Sequence, residues 1–240
     1  MGGACCPLPR QQSHLRYQRN MQIWRKNWLR RSQRVTNNPP QPIDSPGRYL
    51  PSNGTDIATE LCKNRLLVYP NKEGLPIPFT ACPLRLTDKA DGSKRRIHHV
   101  SYPTTDSSSI NTGIPEHYGT ITYIRIGEAI QAIQDMGKDC IRVKRDFESP
   151  FRLIPVSPLD SSLLGFLWES TYNAESFLPF GLQTVPYLFN LFAEVFHRIL
   201  EDTLHAQGLR GRIIHYLDDF LIVLPPESNP EQYTTLFTKL

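Results

Sequence analysis

Residues 212–225 read RIIHYLDDFLIVLP, which is two apolar stretches on either side of an adjacent pair of aspartates. The stretches IIHY and FLIV are rich in β-branched and aromatic residues, so they predict two antiparallel strands. Leu217 and Asp218 then form the tip of a hairpin, and both Asp218 and Asp219 reach the rim of a sheet. Adjacent carboxylates repel each other unless a divalent cation offsets the repulsion. An Asp-Asp turn alone is also common in hairpins, so other motifs must decide between a metal site and a plain turn.

A third carboxylate is predicted at the end of another strand. The stretch CIRVKRD is rich enough in β-branched residues to predict a strand that ends at Asp146. If Asp146 lies beside the hairpin tip, it forms a three-carboxylate group with Asp218 and Asp219. Such a group suits in-line phosphoryl or nucleotidyl transfer with two metal ions, for which Mg²⁺ is the expected ion.

The rest of the chain predicts a mixture of helices and hairpins without a regular βαβ repeat. One hairpin is expected around Asp91-Gly92, and a second from SSLLGFLWES and TYNAESFLPF. Four segments predict helices: RIGEAIQAIQDMG, ESPFRLI with Ser149 as N-cap, the long stretch between Thr184 and Gly208, and NPEQYTTLFTKL. In the first of these, the predicted apolar face comprises Ile126, Ala129, Ile130, Ile133 and Met136. We therefore expect an α+β fold in which helices back an antiparallel sheet.

Charge and proline are unevenly distributed. Residues 1–43 hold eight of the 27 basic residues and none of the 23 acidic ones, and TNNPPQPIDSPGRYLPSNG has five prolines. We predict a disordered basic arm and linker over residues 1–60 and a folded domain over residues 61–240. The arm suits a polyanionic partner, although a solvated leader is an equally good interpretation.

The cysteines and the hydropathy pattern bear on location. The five cysteines form no CxxC pair, so we expect neither a zinc site nor a disulfide framework. We expect instead that the protein works in a reducing compartment. No apolar run reaches the ~18 residues of a membrane span. We expect an intracellular protein, in the cytoplasm or nucleus, without a membrane partner.

Four motifs together resemble the reverse transcriptases of retroelements. They occur in the family's order: KADGSKRRIHH resembles the fingers hairpin, VKRDFESPFRLIPV the first catalytic motif, FLPFGLQTVPYLFNLF the LPxG motif, and HYLDDFLIV the YxDD motif. The amino-acid sequence of these motifs is most similar to that of DIRS-like retrotransposons of the tyrosine-recombinase group, with the gypsy-like group next. The resemblance implies a fingers–palm portion of an RNA-directed DNA polymerase that uses dNTP, a primer and an RNA or DNA template. Other retroelement polyprotein domains are implied as partners.

The resemblance also implies roles for individual residues. Asp146, Asp218 and Asp219 match the catalytic triad. Asp146, Asp218 and the backbone carbonyl of Phe147 would hold two Mg²⁺ ions, with Mn²⁺ as an alternative, and Asp219 would support the site. The positions that match the dNTP and primer contacts are Lys89 and Arg95 for the triphosphate, Phe151 as a steric gate, Gly181 for close approach of template or nucleotide, and Tyr216 for the primer end.

The sequence departs from the family pattern at two places. Pro150 stands where alanine is usual, and proline lacks the N–H that the family donates to the triphosphate. The chain also ends at Leu240, before the primer grip and thumb of the family. These departures favour an alternative, a degenerate fragment that keeps the fold and binds nucleic acid but polymerises little. An RNA-dependent RNA polymerase is a third interpretation, which the aromatic Phe151 disfavours.

Overall fold

The structure is a computed structural model that describes residues 52–89, 92, 94–104 and 109–239. The chain divides into two compact units. Residues 120–150 and 186–239 make up the first, here called the carboxylate unit. The second, here called the Arg152 unit, comprises residues 151–185 and the described residues of 52–119.

A three-stranded antiparallel sheet forms the centre of the carboxylate unit. Its order is β4–β8–β7, in which β4 is Ile141–Arg145, β7 is Arg212–Tyr216 and β8 is Asp219–Leu224. The helices are α2 (Ile126–Met136), α3 (Val185–Ala206) and α4 (Pro230–Lys239). The predicted hairpin is therefore confirmed, and Tyr216 pairs with Asp219 across a two-residue tip.

The two faces of this sheet are buried by different side chains. On one face, Val223 packs with Ile214 of β7 and Ala132 of α2. On the other face, Phe220 contacts Phe196 of α3 at 5.5 Å between ring centroids. Strand β8 thus follows the period-two alternation of a strand that is covered on both sides.

The Arg152 unit contains a sheet, a separate hairpin and a helix. The antiparallel sheet has the order β1–β6–β5, in which β1 is Leu66–Tyr69, β5 is Gly165–Trp168 and β6 is Thr171–Glu175. The hairpin pairs β2 (Leu84–Asp88) with β3 (Lys94–His98). Helix α1 is Ser52–Cys62, and short 3₁₀ helices lie at Asn111–Gly113, Glu116–Tyr118, Pro150–Leu153 and Ser161–Leu164.

Most of the predicted elements are present. The β5–β6 hairpin turns at Glu169 and Ser170, which have φ values of 45° and 65°. Two consecutive positive φ values are characteristic of a type I′ turn, which matches the twist of the strands that it joins. Both strands of the β2–β3 hairpin are confirmed, while Asp91 of its predicted turn lies outside the described residues. The α+β class with antiparallel sheets is confirmed.

Three details of the prediction are wrong. Ile126 and Ile130 are 81% and 49% exposed, so the buried face of α2 is narrower than its apolar face. Ser149 has a φ of 51°, outside the extended region that an N-cap adopts, and only a 3₁₀ turn follows it. The folded part also begins before residue 61, because α1 starts at Ser52 and buries Ile57. Residues 1–51 of the predicted arm lie outside the described residues.

No helix within the described ranges combines the length and the hydropathy that crossing a membrane demands.

We predict that Gly165→Ala destabilises the protein strongly. A Cβ at Gly165 would lie 2.7 Å from the backbone oxygen of Thr80 and 2.4 Å from Cζ of Phe79, and the backbone atom cannot give way cheaply. Overpacking of this kind costs about 1–3 kcal/mol or more. The free energy of unfolding in urea measures the effect. Gly127→Ala in α2 is the control, because its Cβ would meet nothing within 4 Å and alanine favours a helix. Equal stability of the two variants would contradict the prediction.

Candidate active site

The predicted carboxylates lie on adjacent strands of the carboxylate unit. Asp146 directly follows β4, whose last residue, Arg145, pairs with Phe220 of β8. Continuing this register by one residue places Asp146 opposite Asp219, which opens β8. The predicted meeting of a strand end with the hairpin tip is therefore present, while the catalytic roles of the acids stay predictions.

The tip of this hairpin has an unusual backbone. Leu217 has a φ of 55°, a left-handed conformation that favours glycine. The first central position of a two-residue hairpin requires a positive φ in the type II′ turn. A branched side chain there is strained, and such strain persists where the surrounding pairing fixes the backbone. Here the Tyr216–Asp219 pair does so, and it holds the half-buried Asp218 at the tip.

A cation that the sequence analysis did not single out, Lys144, lies among these acids. Its Nζ is 2.9 Å from Oδ1 of Asp219. The hydrogen bond and the charge of Asp219 raise the pKa of Lys144, and the charges of Asp146 and Asp218 act in the same direction. All three carboxylates thus act on a single cationic position.

This donor set fits a hard divalent cation, because Mg²⁺ and Mn²⁺ prefer carboxylate oxygens. The ammonium of Lys144, which pairs with Asp219, shows that this edge of the sheet accepts a cation. Across the described part of the chain, however, no three His, Cys, Asp or Glu side chains are arranged closely enough to ligate an ion.

The strand end that carries Asp146 is anchored by aromatic packing. The ring of Phe147 lies between 5.0 and 5.9 Å, centroid to centroid, from five other rings. They belong to α3, β8 and α4: Phe189, Phe192, Phe196, Phe220 and Phe237. Edge-to-face aromatic pairs at such distances stabilise a defined geometry. The side chain of Phe147 thus fixes the backbone that carries the predicted carbonyl ligand.

Tyr216, the predicted primer contact, is stacked on another tyrosine. Its ring lies 4.5 Å from that of Tyr123, with an interplanar angle of 26°. Both rings are partly exposed. Partial burial is the larger cause that raises the pKa of Tyr123, and the charge of the neighbouring Tyr216 raises it further. The pair forms an aromatic platform next to Asp219.

Two of the predicted dNTP contacts, Arg95 and Phe151, both lie next to Phe180 in the Arg152 unit. The guanidinium of Arg95 lies 4.6 Å from the ring centroid of Phe180, and the Phe180 ring lies 5.0 Å from that of Phe151. Arg95 is exposed and Phe151 is half-buried. Stacking on an aromatic face leaves the N–H donors of an arginine free to point elsewhere. Lys89 is exposed one residue beyond β2, and its carbonyl accepts a hydrogen bond from the Gly92 N–H at 3.0 Å.

Gly181 is required by the protein's own backbone. Its φ is 114°, and a Cβ there would lie 2.0 Å from the carbonyl oxygen of His98 at the end of β3. The His98 N–H also donates to the Phe180 carbonyl at 2.8 Å. This close approach of β3 explains the glycine without a ligand, so the predicted approach of template or nucleotide at Gly181 stays a prediction.

A network of buried charges holds this arrangement together. Arg152 donates from Nε to Oε2 of Glu60 at 2.9 Å and from Nη1 to Oε2 of Glu175 at 2.8 Å. Arg96 lies 3.3 Å from Oε1 of Glu175 and 2.9 Å from Oδ2 of Asp56. Burial alone would raise the pKa of Glu60, but the Arg152 guanidinium outweighs it and holds that pKa below its ordinary value.

His98 is a buried neighbour of this network. Its Nε2 donates to the Gly165 carbonyl at 2.9 Å, and burial lowers the pKa of His98 to about 3. The ring is therefore neutral at physiological pH. The ring of the next residue, His99, lies 6.1 Å from that of Tyr102, centroid to centroid.

Sequence reasoning missed three groups here: Lys144, Tyr123 and the Arg152 network. Lys144 had a detectable signal, because it stands two residues before Asp146 and so shares its face of the strand. Tyr123 and the network had none, because their partners are distant in sequence.

Comparison with known proteins gives a family match over more than half of the chain. A family model described as reverse transcriptase (RNA-dependent DNA polymerase) matches residues 85–239. No curated protein matches the chain significantly in sequence.

Solved structures of foamy virus proteins are among those similar to this chain. The protease–reverse transcriptase CSH mutant of prototype foamy virus has 20% identity and a TM-score of 0.52, covering 78% of this chain and 22% of that one. The foamy viral protease–reverse transcriptase dRH in complex with double-stranded DNA has 17% identity and a TM-score of 0.56, covering 78% and 28%. A second complex with double-stranded DNA has 17% identity and a TM-score of 0.55, covering 78% and 34%. At these identities the likeness shows the fold, and this chain spans about a third or less of those chains.

We predict that Arg152→Met destabilises the protein by about 3–5 kcal/mol, because it removes the buried guanidinium that Glu60 and Glu175 share. Urea unfolding measures the loss. The matched control is Arg198→Met, since Arg198 is 67% exposed and pairs on the surface of α3 with Asp202; such pairs contribute at most about 1 kcal/mol. A loss below 1 kcal/mol for Arg152→Met would show that the network does not hold the unit together.

Proposed function

Because the chain belongs to the reverse transcriptase (RNA-dependent DNA polymerase) family, we propose that it transfers deoxynucleoside monophosphates from dNTP to a primer 3′-hydroxyl on an RNA or DNA template. The observation that supports this proposal is the strand register, which sets Asp146 opposite Asp219 and next to the hairpin tip that carries Asp218. The double-stranded DNA complexes of the foamy virus neighbours support a template–primer duplex as partner.

Enzymes of this family use divalent metal ions. Asp146, Asp218 and the Phe147 carbonyl would hold two Mg²⁺ ions, or Mn²⁺, which when bound lower the pKa of the attacking hydroxyl and stabilise the leaving pyrophosphate. Asp219 supports the site through its ion pair with Lys144. The Tyr216–Tyr123 platform gives the primer end an aromatic face on which to stack.

Selection of the sugar falls to the Arg152 unit in this proposal. Phe151 would lie under the ribose and clash with a 2′-hydroxyl, so that dNTP is preferred. Arg95, held flat against Phe180, would bind the triphosphate with a preorganised guanidinium, and the exposed Lys89 would add a second positive charge.

Pro150 supports the competing proposal of a fold that binds nucleic acid without polymerising. It opens the Pro150–Leu153 turn and cannot donate an N–H to a triphosphate. The assignment to DIRS-like retrotransposons also stays a proposal, which rests on the amino-acid sequence of the motifs. The family model and the foamy virus structures do not distinguish between retroelement groups.

Primer extension on poly(rA)/oligo(dT) with Mg²⁺ or Mn²⁺ tests the polymerase proposal. We expect Asp146→Asn and Asp218→Asn each to lower the extension rate at least about a hundredfold, because each removes a carboxylate that would hold the metal ions that stabilise transition-state charge. Asp202→Asn, at an exposed position of α3, should retain the wild-type rate. If the wild type extends no primer, or if all three variants extend equally, the fold without catalysis is the better description.

The predicted gate has its own test. Phe151→Val should raise the ratio of kcat/KM for rTTP over dTTP incorporation by about tenfold or more, because the smaller side chain leaves room for the 2′-hydroxyl. Single-nucleotide incorporation with each substrate measures the ratio. Leu153→Ala is the control, since Leu153 lies in the same turn and is 41% exposed. An unchanged ratio for Phe151→Val would remove Phe151 from the role of gate.

A further inference from the structure

Lys144 occupies an unusual place for a lysine. It lies on the exposed face of β4, two residues before Asp146, and its cross-strand partner is Leu221. Asp219 lies diagonally across the strand pair, within reach of a long side chain. The 2.9 Å contact between Nζ and Oδ1 of Asp219 therefore follows from the register.

Stability does not explain this ion pair. The Lys144 side chain is 68% exposed and that of Asp219 is 49% exposed. Exposed pairs contribute little to folding, because water screens them and two side chains lose freedom. An effect on neighbouring charges remains, since Asp219 follows Asp218 in the chain and stands opposite Asp146 in the strand register, and the charges of both acids act on Lys144.

The cleft beside the pair directs the ammonium towards the acids. Lys144 lines a cavity of about 420 Å³ together with Ile126, Ile214 and Leu221. Lysine covers apolar surface with its methylene stem while its charged head stays near water or a carboxylate. The apolar wall thus leaves the carboxylate edge as the favourable position for the head group.

We propose that Lys144 is a resident counter-cation of the carboxylate group. Its ammonium neutralises Asp219 and leaves Asp146 and Asp218 as the ligands of a divalent cation. It also weakens the binding of that cation by charge repulsion. The inference rests on the proposed function for the identity of the metal ligands. It concerns ion affinity, however, and can be measured without nucleotide, template or polymerisation.

The test is a titration of the chain with Mn²⁺, in which the electron paramagnetic resonance signal of free Mn²⁺ reports binding. Lys144→Gln should lower the dissociation constant for Mn²⁺ roughly three- to tenfold, because a nearby positive charge is removed. The gain should shrink as salt is added, since salt screens the repulsion. Lys138→Gln is the matched control: it makes the same change in net charge at an exposed lysine beyond the opposite end of β4, and should alter the constant less than twofold.

The outcomes separate this inference from the polymerase proposal. Tighter Mn²⁺ binding by Lys144→Gln, lost again when Asp218→Asn is added, supports the inference even in a chain that extends no primer. Unchanged or weaker Mn²⁺ binding by Lys144→Gln, or an equal gain in Lys138→Gln, overturns it even if the chain is an active polymerase. Failure of both proteins to bind Mn²⁺ also overturns it.

Discussion

The register between β4 and β8 is the constraint on which the carboxylate unit depends. It is fixed by apolar side chains, because Phe220 and Ile222 face one layer of helices while Leu221 and Val223 face the other. A slip by one residue would exchange the two sets and disrupt the packing on both faces. Side chains that take no part in chemistry therefore decide that Asp146 stands opposite Asp219. The packing of the apolar side chains thus fixes the positions of the acids.

The Arg152 unit is organised by a different force. Its centre contains Arg152, Glu60 and Glu175, which are buried and paired through hydrogen bonds. Buried charges tolerate no missing partner, so such a network specifies one arrangement more strictly than apolar packing does. Because Arg152 directly follows Phe151, the network that fixes Arg152 also fixes the position of Phe151, and with it the stack that Phe151 forms with Phe180 and Arg95.

Much of the fold could be predicted from the sequence because the signals were local. The β7–β8 and β5–β6 hairpins have alternating patterns and short turns, and α2 and α3 have clear helical periods. The predictions that failed involved competition between local and distant effects. Ile126 and Ile130 fit the helical period of α2, but the sheet covers only part of that face. The candidate acids were predicted because they belong to short motifs, whereas the contact of Lys144 with Asp219 joins strands that lie far apart in the chain.

Helix α1 was missed because the prolines before it outweighed its own pattern. It supplies Asp56 and Glu60, the partners of Arg96 and Arg152, and Ile57, which packs with Leu66 and Phe166. A boundary placed at residue 61 would therefore remove two anions and keep both arginines, exchanging a neutralised interior for one with surplus positive charge. The family model begins at residue 85, so the limit of recognisable sequence similarity is not the limit of the cooperative folding unit.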